Sequence, residues 1–217
     1  MNCLKSAHMK TKKYLTLMML LFSSFLTIGA QTNDGVRNEF ERALREKGVL
    51  IETITSQFTQ VRSISVLSNK VVKHGKFYYS RPGNIFLSFD DGDYIKMTDA
   101  AFRMKNAGKL IKTKISVNPM LKELKRLLSA CMIGDILKAA NGFKSNIEDA
   151  SDKYIVKLTP AKNRVSSKVK CIVMKFSKKD MSLTQLKMEE ASGDFTSYDF
   201  TDKIFNSAIN ENLFKLD

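Results

Sequence analysis

The sequence predicts a mainly β fold with helices, an α+β chain whose single antiparallel sheet has about eleven strands. Three observations carry this. Apolar and polar residues alternate in segment after segment from Thr53 onward. Short turn signals, instead of crossover helices, separate most of these segments. Helical periodicity is confined to a stretch after Asn33 and another after Asn118.

A secretory leader precedes the domain. Lys10, Lys12 and Lys13 form a basic region, Tyr14 to Ile28 an apolar one, and Gly29-Ala30 before Gln31 a small-residue cleavage point, so residues 1–30 read as a signal peptide. Met9 opens a more usual signal than Met1. The apolar stretch is shorter than the ~20 residues that span a bilayer, and the expected location is the periplasm. Gln31 stands where a lipoprotein needs an acylated cysteine, so the chain is not expected to be a lipoprotein itself. The remaining residues, 31–217, suffice for one domain. Cleavage removes four lysines and no acid, lowering the formal net charge from +14 to +10. That surface suits a phosphate-rich partner, an anionic membrane face or an acidic protein, or serves solubility alone. Nucleic acid is excluded by compartment and by the scatter of lysines into small groups such as Lys122, Lys125 and Arg126.

Asn33 and Asp34 precede Val36, Phe40, Ala43 and Leu44 at helical spacing, and Gly48 stops the helix. From Thr53 the period becomes two, with Ile54, Phe58 and Ile64 alternating with Thr55, Thr59 and Ser63. Strands follow at about Lys70 to Ser80, Ile85 to Phe89, Tyr94 to Thr98, Ala101 to Asn106 and Leu110 to Ser116. Between them stand Ser68-Asn69, Arg81-Pro82-Gly83-Asn84, Asp90-Asp91-Gly92-Asp93 and Ala107-Gly108. At Asn118-Pro119 a helix begins, Asn suiting the N-cap and Pro the first turn. Met120, Leu124, Leu127, Leu128, Cys131 and Met132 share one of its faces, and Gly134 or Gly142 ends the helical region. Strands return at Phe143 to Glu148, Lys153 to Thr159, Val169 to Phe176, Leu183 to Glu190 and Asp194 to Lys203. A sheet of this length twists until it curls or closes. The Met120 to Met132 helix then either covers a concave apolar face or caps a closed core, and the pattern alone does not choose.

Catalytic signals are lacking, so no enzyme, cofactor or metal site is expected. His74 is the single histidine after the leader, without HExxH or a partner His, and reads as a structural or surface residue. Asp90-Asp91-Gly92-Asp93 lacks calcium-loop spacing and reads as a hairpin turn. Glu189 and Glu190, adjacent on a strand, point to opposite faces and cannot act as an acid/base pair. Cys131 and Cys171 could pair in an oxidising compartment or stand as two buried small hydrophobes. By period two, Gly75, Phe77, Tyr79 and Arg81 share a face, so a guanidinium ends an aromatic row, either as a functional group or as a surface arginine before a turn.

Phe58-Thr59-Gln60, then Gly75, Phe77, Arg81 and Pro82, then Leu158-Thr159-Pro160, and Asn210 four residues before Phe214 resemble, in order and spacing, the landmarks of the LolA lipoprotein carriers from about Leu50 to Phe214. The chain departs from that pattern at Asp99-Ala100, where an Asp-Gly is usual, and at Leu87, where an aromatic residue is usual. The resemblance implies an unclosed antiparallel β-barrel of about eleven strands covered by a helical lid. It further implies a monomeric carrier that receives acylated lipoproteins from an inner-membrane ABC transporter and hands them to an outer-membrane acceptor. Arg81 corresponds to the arginine that bonds to the lid and holds it closed. The acyl cavity would be walled by Ile54, Phe58, Phe77, Tyr79, Ile85, Leu87, Phe89, Ile95 and Met97, with Leu124 and Leu128 from the lid. A related carrier, or a sensor, of another acylated lipid or glycolipid is the alternative.

Overall fold

A computed structural model describes residues 33–65, 70–99, 101–114, 119–161 and 169–215, with the side chains of 33, 113–114 and 119–124 outside the description. The leader, the Ser68-Asn69 turn, Asn118 and the Leu124 side chain therefore lie outside the described residues.

The chain runs α1 (Asn33–Gly48), β1 (Thr53–Ser63), β2 (Lys70–Ser80), β3 (Asn84–Phe89), β4 (Tyr94–Met97), β5 (Ala101–Asn106) and β6 (Lys109–Lys114). Then come α2 (Pro119–Ile133), α3 (Ile136–Ala139), β7 (Phe143–Asp149), β8 (Lys153–Pro160), β9 (Val169–Ser177), β10 (Leu183–Glu190), β11 (Phe195–Phe205) and a 3-10 turn (Glu211–Phe214). All eleven strands form one antiparallel sheet in the order β6-β5-β4-β3-β2-β1-β11-β10-β9-β8-β7. The sheet is therefore an unclosed meander in which β1 meets β11 and β6 and β7 are the two edges. The helical insert falls in sequence between those edges, at the one place where the meander would otherwise continue.

Two helices cover one face of the sheet, and the period-two pattern supplies that face. Ile54 and Phe58 of β1, Phe77 and Tyr79 of β2, and Ile85, Leu87 and Phe89 of β3 are all buried there. Val156 and Leu158 of β8 and Met174 and Phe176 of β9 are fully buried as well. On α1, Val36, Phe40 and Leu44 fall on one stripe and are buried, each worth ~1.5–3 kcal/mol when taken from water. Phe40 meets Tyr154 and Phe176 edge to face, with ring centroids 5.3 and 5.2 Å apart. Arg37 donates to the Ser145 hydroxyl at 2.9 Å, which fixes α1 over β7 to β9.

The second helical region ends twice, at Gly134 (φ +84°) and Gly142 (φ +87°), the first break separating α2 from α3. Its carboxyl end lies against the end of α1. A Cβ on Gly134 would stand 2.7 Å from the Arg45 Cα and 2.7 Å from the Leu44 carbonyl oxygen. A Cβ on Gly48 would stand 2.6 Å from the Ile133 carbonyl carbon. Only paired glycines let these two backbones approach so closely.

The Asp90 to Asp93 segment is the turn between β3 and β4. The Lys73 ammonium stands between its acids, 2.8 Å from Asp91 and 2.7 Å from Asp93. The hydrogen bonds from Lys73 are the main cause that holds both carboxyls below their ordinary range, and those same bonds raise Lys73. Depressed carboxylates contribute stability that is present above the ordinary carboxylate range and is lost as pH falls through their folded values. Changing Asp91→Asn together with Asp93→Asn should flatten the acid limb of stability measured by urea unfolding from neutral pH downward. An unchanged acid limb would show that these groups are not coupled to folding.

His74 lies on the outer face, its Nδ1 3.1 Å from the Thr59 hydroxyl. Cys131 and Cys171 are free thiols, so the pairing that compartment allowed is not formed. The reason is strand parity. Cys131, on α2, contacts the Met174 sulfur at 3.4 Å on the helix-covered face of β9. Cys171 is three residues from Met174, points to the other face and meets Glu189 at 3.4 Å. Burial pushes both thiols up, which leaves them protonated and unreactive.

Candidate functional site

The predicted wall is a real surface. Ile54, Phe58, Phe77, Tyr79, Ile85, Leu87, Phe89, Met97 and Leu128 are buried in one cluster, with Ile95 partly buried against it. Phe58 meets Phe89 edge to face at 5.1 Å, and Phe77 meets Phe200 at 5.2 Å. Leu127 and Leu128 of α2 belong to the same cluster.

Among the described residues, one cleft beneath the helix ends lies elsewhere along this face. This small cleft lies among the end of α1, the end of α2 and strands β1, β2, β10 and β11. Of the predicted wall only Ile54 and Phe77 line it. The rest of its apolar lining comes from Leu44, Ile51, Cys131, Met132, Met181, Leu183, Phe200 and Phe205, with Lys47 and Lys203 among the polar side chains. Ile85, Leu87, Phe89 and Met97 are buried and do not line this cleft, which lies toward β10 and β11. Its free volume is about 20 Å³, room for about one water, so a larger guest requires the ends of α1 and α2 to part.

Arg81 lies where expected, at the end of the row formed by Phe77 and Tyr79, but its partners differ from the expectation. Its Nε donates to the Ile51 carbonyl at 3.0 Å, and its Nη2 donates to Ile51 and Gly48 at 2.7 and 2.8 Å. An ion pair to Glu52 at 3.3 Å adds to these side-chain contacts. Arg81 therefore holds the Gly48 carbonyl that ends α1 and the Ile51 carbonyl in the loop after it, where a cation also suits the helix dipole, and does not bond to α2 among the described residues. Burial is the main cause that raises the neighbouring Tyr79 phenol, with the Arg81 charge opposing it.

The described ties of α2 are slighter. Lys125 pairs with Asp99 in the turn after β4 at 2.5 Å, and Asp99 is 75% exposed. Such a pair contributes ~0–1 kcal/mol. Midway along α2, Ser129 sits over Gly83 in the turn between β2 and β3.

Lys203 and Phe205 are lining residues that periodicity alone misses. Strict alternation from Phe200 would place Asp202 and Ile204 inside. A register slip between Thr55 and Gln57 in the β1–β11 ladder reverses the parity, so Lys203 and Phe205 line the cleft. Burial is the main cause that lowers the Lys203 ammonium, with Asp180 opposing it.

An open eleven-stranded antiparallel sheet, with two helices across one face and an apolar cleft at their ends, defines the class of protein. The profile described as "Outer membrane lipoprotein carrier protein LolA" matches residues 109–217, half of the sequence, and the chain belongs to the LolA family. An uncharacterised conserved protein from Thermus thermophilus shares the fold, with 6% identity and a TM-score of 0.51 over 83% of this chain and 94% of that one. A LolA superfamily protein from Nitrosomonas europaea aligns at 12% identity and a TM-score of 0.40, covering 81% and 97%. The Mycobacterium tuberculosis lipoprotein LppX aligns at 8% identity and a TM-score of 0.44, covering 82% and 99%. No curated protein matches the chain in sequence. No helix among the described residues is long and apolar enough to cross a membrane.

Proposed function

We propose that this chain is a non-catalytic periplasmic carrier, delivered there by its leader. It holds the acyl chains of lipoproteins against the helix-covered face of the sheet and moves them from the inner to the outer membrane. The observation that carries the reading is the apolar face of the open sheet covered by α1 and α2, with a small cleft where the ends of the two helices meet the central strands. An inner-membrane ABC transporter would supply the cargo and an outer-membrane acceptor would take it.

Burying hydrocarbon yields ~0.8 kcal/mol per CH₂, so a chain of ordinary length gains roughly 10 kcal/mol and a carrier needs an opposing term to release it. That term is closure of α2 onto the empty face, which stabilises the unloaded form and lowers net affinity. Arg81 contributes through α1: it fixes the Gly48 end against which the end of α2 packs. Arg81→Leu leaves those carbonyls without their charged donor, at a cost to the closed form of about 1–2 kcal/mol, or roughly 5–30-fold in its population. The expected result is tighter loading and slower handover, read as transfer of a labelled lipoprotein to acceptor vesicles. Transfer at the wild-type rate would contradict the latch.

Mass spectrometry of material extracted from the native protein tests the function itself. Diacyl or triacyl lipopeptides support it, whereas another acylated lipid or a glycolipid would redirect the cargo assignment. Depletion of the protein should strand lipoproteins at the inner membrane; normal sorting in depleted cells would instead favour a sensor.

A further inference from the structure

The cleft has a polar corner that an acyl chain alone does not use. Ser56 lies on the inner face of β1, is 6% exposed and lines the cleft. Its hydroxyl has no partner among the described residues, although leaving a buried hydroxyl unpaired costs ~1–3 kcal/mol. Directly across the ladder the register slips: Thr55 faces Ile204 and Gln57 faces Thr201, so Ser56 alone opposes both Asp202 and Lys203. Asp202 takes φ +50°, a left-handed conformation that non-glycine residues seldom adopt. This bulge is what turns Lys203 into the cleft beside Ser56.

An ammonium carries three donors, yet the described hydrogen bond of Lys203 is a single 3.5 Å contact to the Phe200 carbonyl. Asp180, the nearby acid that acts on it, is engaged with the Ser182 hydroxyl at 2.7 Å and the Ser182 backbone N–H at 3.0 Å. Lys47, in the last turn of α1, brings a second cation to the cleft lining. An underused ammonium and an orphaned hydroxyl thus stand side by side on the lining of an apolar cleft that Lys47 also borders.

We propose that this cleft binds a single-chain amphiphile with an anionic head, a carboxylate or a phosphate. The hydrocarbon lies along Ile54, Phe77, Met132 and Phe200 once the ends of α1 and α2 part to widen the cleft. The head pairs with Lys203 and Lys47, and Ser56 donates its hydroxyl to a head oxygen. The methionine at the wall adapts to chain shape because its side chain is unbranched and flexible. The inference rests on the reading of this face as an acyl-binding surface, and adds a ligand smaller than a full lipoprotein anchor.

The test is titration of the delipidated full mature chain with oleate, oleoyl lysophosphatidate and oleyl alcohol, followed by calorimetry, with inorganic phosphate as a competitor. Both anionic ligands should bind roughly tenfold or more tightly than the alcohol. Lys203→Met, which keeps the apolar stem, should erase that preference while leaving alcohol binding in place, and Lys203→Arg should retain it. Ser56→Ala should weaken the anionic ligands and spare the alcohol. Equal binding of oleate and oleyl alcohol, or a preference that survives Lys203→Met, overturns the anionic head while leaving acyl binding standing. Inorganic phosphate that competes as well as the amphiphiles marks a free-anion site and overturns the proposal. Failure of all three acyl probes to bind removes the carrier reading and this one together.

Discussion

Tying Gly83 to Ser129 through Gly83→Cys and Ser129→Cys should block acyl uptake when the pair is oxidised and restore it on reduction. The geometry already suits the bond. A Cβ placed on Gly83 stands 3.8 Å from the Ser129 Cβ, the mean separation of ~3.8 Å in disulfides. Gly83 has negative or extended φ, so a cysteine there is unstrained, and the Ser129 hydroxyl is buried without a partner, so its loss removes no described bond. The cross-link would fix the middle of α2 to the turn between β2 and β3, where the described ties are weak. A disulfide worth about 2–4 kcal/mol to the closed form lowers ligand affinity roughly 30-fold to 1,000-fold. Displacement of a fluorescent fatty acid with and without reductant reads the effect. Equal uptake in both redox states would show that α2 does not move for binding. Cys131 does not compete, being buried against Met174 with its thiol pushed up.

Gly134→Ala should be the most damaging single-methyl change in the domain's helical region. Two separate costs combine: a left-handed φ of +84°, and a Cβ 2.7 Å from backbone atoms of both Leu44 and Arg45. The first is worth about 1–2 kcal/mol and the second about 1–3 kcal/mol, because backbone cannot swing aside as a flexible side chain can. Gly92 supplies the control. Its φ is +83°, but a Cβ there meets nothing within 4 Å, so Gly92→Ala should cost the conformational part alone. Urea unfolding of the two variants separates strain from collision. Equal losses would mean that the α1 and α2 ends are not in close contact.

Much of the fold is legible in the residues. Alternation in Asn84 to Phe89 places Ile85, Leu87 and Phe89 on the buried side, and the Asp90 to Asp93 turn closes the hairpin that follows. Phe40 and Leu44 mark the covered stripe of α1, and Pro119 opens α2. The shared face of Phe77, Tyr79 and Arg81 is equally plain, because parity within one regular strand needs no distant information. What Arg81 touches is not. Its acceptors, the Gly48 and Ile51 carbonyls, are about thirty residues away and are presented only once α1 docks on β8 and β9.

The cleft shows the same division. Ile54 and Phe77 belong to it as alternation suggests, but Lys203 enters only because the slipped register beside Asp202 reverses β11. A one-residue slip exchanges the two faces of every residue beyond it, and no local pattern announces it.

By itself the sequence determined the strands, their turns, the buried side of each regular strand and the beginnings of both long helices, since all of these follow from spacing along a short stretch of chain. The tertiary structure alone decided which strands became edges, where the helix ends met, which carbonyls Arg81 holds and which side chains border the cleft. Those outcomes depend on contacts between segments far apart in the chain, and packing, not local periodicity, sets them.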